Sequence, residues 1–184
     1  QDIAEWLYED CESSKIISLP HALNADVFKS KIKIDHRRID IGVRAYEYPW
    51  YLGDRERMEI FRKFQVETRH ELNLDIELNP QKRFNRSDWS EFLNSCKGTV
   101  STEAGTSYLE KTDEIRQKVN SHMNTYPDSS FAQIFEIFFK NYKNPVSGKC
   151  ISPRHFDAIG TKACQIMFRG RFNDILKPDK HYIS

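Results

Sequence analysis

Arg38-Ile39-Asp40-Ile41-Gly42-Val43-Arg44-Ala45-Tyr46 is the stretch on which the reading of the fold turns. Ile39, Ile41 and Val43 alternate with smaller or polar neighbours, as in a strand with a buried face. Downstream comes a loop, Tyr48 to Arg57, in which Asp54 is a candidate cap. A helical stripe of Ile60, Phe61 and Phe64 follows. The pattern then repeats. Strands are predicted near 39–44, 73–78, 98–102 and 163–168. Helices are predicted over 87–95 (capped by Ser87), 108–123, 129–142 and from Ser152, with Pro153 at its first position. Phe131, Phe135, Phe138 and Tyr142 recur at helical spacing as a packing face. Strands alternating with helices predict an α/β protein, a Rossmann-like parallel sheet with helices on both faces. In such a sheet ligands gather at the carboxyl ends of the strands. The loops after Val43, Val100 and Lys149 are therefore the place to look.

Upstream, residues 2–12 read as a short helix and Ile16 to Leu19 as a short strand. Residues 24–38 read as a polar, basic linker. The domain reading is 1–34 as the end of an amino-terminal domain with its linker, and 35–184 as one further domain. The chain lacks an initiator Met, and its ends suggest a piece of a longer protein with a missing amino-terminal domain.

The chain has 184 residues, 39% hydrophobic and 30% charged, with a net charge of +1. That balance gives no sign of a nucleic-acid partner. No apolar run approaches the length of a membrane span, and QDIAEWLYED carries acids where a secretory signal has basic residues. Cys11, Cys96, Cys150 and Cys164 show no metal-ligand spacing and read as reduced thiols of a cytoplasmic protein. GxGxxG, GxxxxGK[ST] and GxSxG are all missing.

Three segments carry candidate chemistry. Ser152-Pro153-Arg154-His155-Phe156-Asp157 opens a helix, whose free N–H groups and dipole favour an anion. Arg154 can fork two bonds to a phosphate, and Asp157, three residues on, can accept from sugar hydroxyls. The plainer reading is a capped helix with a surface Arg–Asp pair. Gly42 would let a phosphate approach the backbone, with Arg44 at the strand's carboxyl end. The third segment, Ser101 to Ser107, is a small polar loop holding Glu103 and Gly105. Tyr46, Tyr48, Trp50 and Tyr51 suit either stacking on a base or sugar, or loop packing. His21, His155 and His181 read as structural.

LPHALNADVF (19–28) resembles the segment joining the two domains of GT-B glycosyltransferases. RRIDIGVRAYEYPWYLGDRER (37–57) resembles the first strand and loop of their carboxyl-terminal domain. KGTVSTEAGTSYLE (97–110) and the block from Ile151 to Ser184 resemble the last part of a bacterial group-one subset used in surface-polysaccharide assembly. The resemblance implies a donor-binding domain for a nucleoside-diphosphate sugar, with no cofactor and no metal, in keeping with the lack of a DxD motif. Arg44 would contact the diphosphate, Ser152 and Arg154 would frame it, and Glu103 and Gly105 would serve the donor. Asp157 would stand where a Glu usually binds ribose, one methylene shorter. Lys149 stands eight residues before it, where the family's pattern has an acid. The acceptor would be a glycan or lipid-linked sugar, and the protein cytoplasmic, with at most peripheral contact at the inner membrane surface. The general base would lie in the missing domain, so this portion alone would bind without transferring. A nucleotide-sugar epimerase-like enzyme and a non-catalytic nucleotide-binding or interaction domain are the alternatives.

Overall fold

A computed structural model describes residues 2–17, 19, 21–68 and 70–184. The chain divides into two compact units. One holds residues 1–20, 48–55 and 105–149, and the other holds 21–47, 56–104 and 150–184.

The second unit contains a four-stranded, all-parallel sheet in the order β2-β1-β3-β4. Its strands are β1 (Ile39–Arg44), β2 (Leu74–Glu77), β3 (Cys96–Ser101) and β4 (Cys164–Met167). Each lies within two residues of its predicted bounds. β1 faces Leu74 to Glu77 from Ile41 to Arg44, and β3 faces Cys164 to Met167 from Gly98 to Ser101.

The helices cover both faces. Ile41, Val43 and Val100 pack with Met58, Ile60 and Phe61 of α2 (Glu56–Glu67). The alternate residue Gly42 faces the other way, onto Phe92 of α3 (Arg86–Ser95). α6 (Pro153–Thr161) packs beside α3. This follows from topology. A right-handed crossover from β1 out to β2 puts its helix on one face, and the return crossovers to β3 and β4 put theirs on the other.

A Cβ at residue 42 would come within 2.7 Å of Phe92 Cζ and closer still to Cys96 Sγ. Glycine there lets α3 approach the sheet. Past β4, Ile183 pairs with Ile166, with Met167 N donating to Ile183 O at 2.9 Å, so the edge of the sheet is partly covered.

Several local expectations shift. α3 is capped by Asn85, whose Oδ1 accepts from Asp88 N at 2.9 Å, not by Ser87. The first helix is shorter than predicted, Asp2–Leu7. Ile16, Ile17 and Leu19 form no strand, while Ser18 and Pro20 lie outside the described residues. The polar stretch 24–38 is fastened to the sheet unit. Phe28 is buried, and Arg37, only 4% exposed, is held by carbonyl oxygens. It donates to Ile32 O at 3.0 Å, Cys96 O at 2.9 Å and Thr161 O at 2.6 Å. A buried guanidinium without a carboxylate is tolerated where carbonyl dipoles satisfy its fork of donors. Sequence composition hides this, because Arg37 looks like its exposed neighbour Arg38.

The first unit packs Val119, Ile134 and Phe139 with Trp50, Tyr51, Tyr108 and Phe135. Its main helices are α4 (Glu114–Thr125) and α5 (Phe131–Phe138). α4 starts six residues later than predicted. The Glu110 carboxylate accepts from Ile115 N at 2.9 Å and so stands at the helix start. α5 opens on Ser130, which forms a capping box with Gln133. Asp54, 8% exposed, forms an ion pair with Lys149.

Candidate functional site

The connection leaving β1 runs to one side of the sheet, to β2, and the connection leaving β3 runs to the other, to β4. The carboxyl ends of β1 and β3 therefore flank a topological switch point, where α/β sheets hold their ligands. A cavity of ≈ 60 Å³ opens there. Its wall includes Arg44 and Ala45 after β1, Ser101 and Thr102 after β3, Ser152, Arg154 and His155 at the start of α6, and Arg57 of α2. At a few water equivalents, the volume suits one phosphate-sized group and not a whole nucleotide.

The start of α6 is built around His155. Ser152 N donates to His155 Nδ1 at 2.9 Å, and Ser152 Oγ lies 3.2 Å from the same nitrogen. His155 thus occupies the third helical position, where Glu or Gln completes an ordinary capping box. An Nδ1 that accepts an N–H carries no proton, so the ring proton sits on Nε2 and donates to Thr102 O at 3.2 Å. Burial pushes the imidazole pKa down to about 4, and the nearby Arg57 charge acts in the same direction. His155 is neutral, fixed in one tautomer, and ties α6 to the end of β3.

Arg154 is exposed. It donates to Arg44 O and stacks over Trp89, 4.9 Å from guanidinium carbon to ring centroid. Burial of its head, then the charges of Arg57 and Arg83, lower its pKa. These neighbours make the rim cationic. Arg44 itself is largely committed. Its guanidinium bonds Asp75 Oδ2 at 2.9 Å and Asp75 O at 3.0 Å, and sits 4.1 Å above Phe92. Asp157 accepts from Trp89 Nε1 at 3.1 Å through Oδ2, and burial raises its carboxyl pKa.

The sequence candidates separate into one group at or beside the cavity and three residues placed elsewhere. Arg44, Ser152 and Arg154 meet at the cavity, and Asp157 adjoins them through Trp89. Gly42 is mid-strand, with Phe92 and Cys96 filling the space its side chain would take. Glu103 accepts from Phe172 N at 2.6 Å, holding the loop at 170–172, where a Cβ on Gly170 would crowd its carboxylate. Gly105 belongs to the first unit. Its φ of +77° and the Gly148 carbonyl against it account for glycine there. Among the aromatics, Trp50 and Tyr51 pack in the first unit, and Arg83 stacks over Tyr46 at 4.6 Å.

Sequence reading did not single out Trp89, Thr99 or Gln165, which also line the cavity. A lone Trp in a helix and a Gln in a strand carry no motif; only the packing of α3 against β3 and α6, and the β3–β4 register, bring them to the site. All four cysteines are free thiols, and burial raises the Cys96 pKa to about 12. Among the described residues no three His, Cys, Asp or Glu side chains cluster to hold a metal ion, and no helix is long and apolar enough to cross a membrane. Comparison of the chain with protein-family models, with curated proteins and with solved structures finds no match.

Proposed function

We propose that this chain is the donor-binding part of a glycosyltransferase, holding the diphosphate of a nucleoside-diphosphate sugar against the start of α6. The observation that carries the reading is the switch-point cavity, where a helix amino terminus, Arg154 and Arg57 converge on a phosphate-sized space. The leaving group in glycosyl transfer is an anion, and fixed N–H dipoles with arginines stabilise the charge that develops on it. The resemblance to group-one GT-B enzymes supports the same assignment. In this reading one phosphate occupies the cavity, while nucleoside and sugar lie outside it. Asp157 keeps Oδ1 for a ribose hydroxyl while Oδ2 serves Trp89. The acceptor is a glycan or lipid-linked sugar, and the setting is the cytoplasm, reaching the inner membrane surface only peripherally. No metal is assigned a step.

The test is a binding screen of UDP-, GDP-, ADP- and CDP-sugars against the matching free nucleotides and non-nucleotide sugars. Saturable binding of one nucleotide-sugar class, competed by its nucleoside diphosphate, supports the proposal. Equal binding of all nucleotides with no preference for the sugar-bearing form would favour a non-catalytic nucleotide-binding domain. No binding of either would overturn the proposal.

A further inference from the structure

The cavity has a floor as well as a rim, and the two differ in chemistry. The β3–β4 register sets Gln165 beside Thr99, one strand apart. Val100 packs in the core formed with α2, and Ile166 packs against it. Strand alternation therefore turns Thr99, Ser101 and Gln165 toward the opposite, α6-bearing face. Gln165 is 3% exposed, and its Oε1 has no hydrogen-bond partner among the described residues. Ser101 Oγ is likewise buried and unpartnered. Both residues line the same cavity as Ser152 and Arg154. His155 cannot satisfy them, because Nδ1 serves Ser152 and Nε2 serves Thr102. Buried polar atoms are nearly always bonded, so two orphans lining one cavity point to a bound group.

We infer that Gln165, with Ser101, forms a neutral hydrogen-bonding floor beneath the cationic rim, so that the site takes an anionic group that also carries an O–H and favours inorganic phosphate over sulfate. This rests on the anion-binding reading of the cavity given above, taken for the terminal phosphate of the departing nucleoside diphosphate, because the phosphates of the intact nucleotide sugar carry no O–H at neutral pH. The rim attracts either tetrahedral anion. The floor separates them. An amide oxygen repels a bare oxyanion but accepts from a P–O–H, and inorganic phosphate keeps at least one such proton at neutral pH, whereas sulfate keeps none. The Ser101 hydroxyl can donate to a second oxygen of the same group.

The experiment uses the whole chain, titrated at neutral pH and matched ionic strength with inorganic phosphate and with sulfate. Calorimetry gives the readout, with tryptophan fluorescence, to which Trp89 contributes at the cavity, as a check. Phosphate is expected to bind about tenfold more tightly, the equivalent of one discriminating hydrogen bond. Gln165→Met is expected to close the gap from both sides, weakening phosphate by the lost bond and tightening sulfate by relieving the repulsion. Gln165→Leu, which also removes the amide, is expected to do the same and serves if Gln165→Met fails to fold. Equal affinities in the wild type overturn the inference and leave the anion site standing. A phosphate preference that survives both substitutions also overturns it. If neither anion binds, the anion-binding reading fails along with it.

Discussion

His155 Nδ1 accepts the backbone N–H of Ser152 at 2.9 Å, so the amino terminus of α6 is closed by an imidazole that works only when neutral. Its pKa is lowered to about 4, against an ordinary value of 6.5. Below pH 6.5 the unfolded chain takes up a proton that the folded chain refuses. The stabilising contribution is therefore complete above 6.5 and is lost as pH falls toward 4. Its full size is on the order of 3 kcal/mol. Urea unfolding between pH 7.5 and 4 should show the decline. His155→Gln, which supplies the usual capping-box partner, should flatten it. An unchanged slope in that variant would remove His155 as its source.

Arg154 donates to the carbonyl oxygen of Arg44 and stacks over the face of Trp89 at the rim of the cavity. Arg154→Ala should leave the unfolding midpoint nearly unchanged. If the arginine makes a charged bond to the ligand, the variant should weaken nucleoside-diphosphate binding by roughly 1.5–3 kcal/mol. Calorimetry that finds wild-type affinity would take Arg154 out of the site.

Gly42→Ala adds a methyl group 2.7 Å from Phe92 Cζ. Overpacking of this kind costs about 1–3 kcal/mol. Trimming the ring in a Gly42→Ala/Phe92→Leu double variant should recover part of the loss, and a double-mutant cycle by urea unfolding measures the coupling. Purely additive losses would mean that the two residues do not meet.

Arg37→Met leaves the carbonyls of Ile32, Cys96 and Thr161 without their donor. Orphaned buried acceptors cost about 1–3 kcal/mol each before relaxation, so the variant should lose several kcal/mol or fail to accumulate folded. A thermal midpoint within a few degrees of wild type would show that water replaces the guanidinium.

The sheet was legible mainly at β1 and β2, where apolar residues alternate (Ile41 and Val43, Leu74 and Ile76), while β3 and β4 each offer one such residue to the same core, Val100 and Ile166. The Ser152 cap was legible as well, since Ser, Pro and a following apolar stripe are all local signals. What escaped depends on distance in sequence. Asp157 meets Trp89 across 68 residues, and Arg44 finds Asp75 across 31. Neither separation leaves a pattern in one chain. The start of α4 escaped for a smaller reason. Its initiating carboxylate belongs to Glu110, which precedes the helix rather than opening it.

The reach of Arg37 also bears on how the protein is made. Its guanidinium needs Thr161 O, 124 positions along the chain. At the usual ribosomal pace that carbonyl is polymerised roughly 6–25 seconds after Arg37. Through that interval the guanidinium lacks its Thr161 acceptor and keeps water in its place, so the ring of carbonyls around Arg37 closes only once α6 has been made.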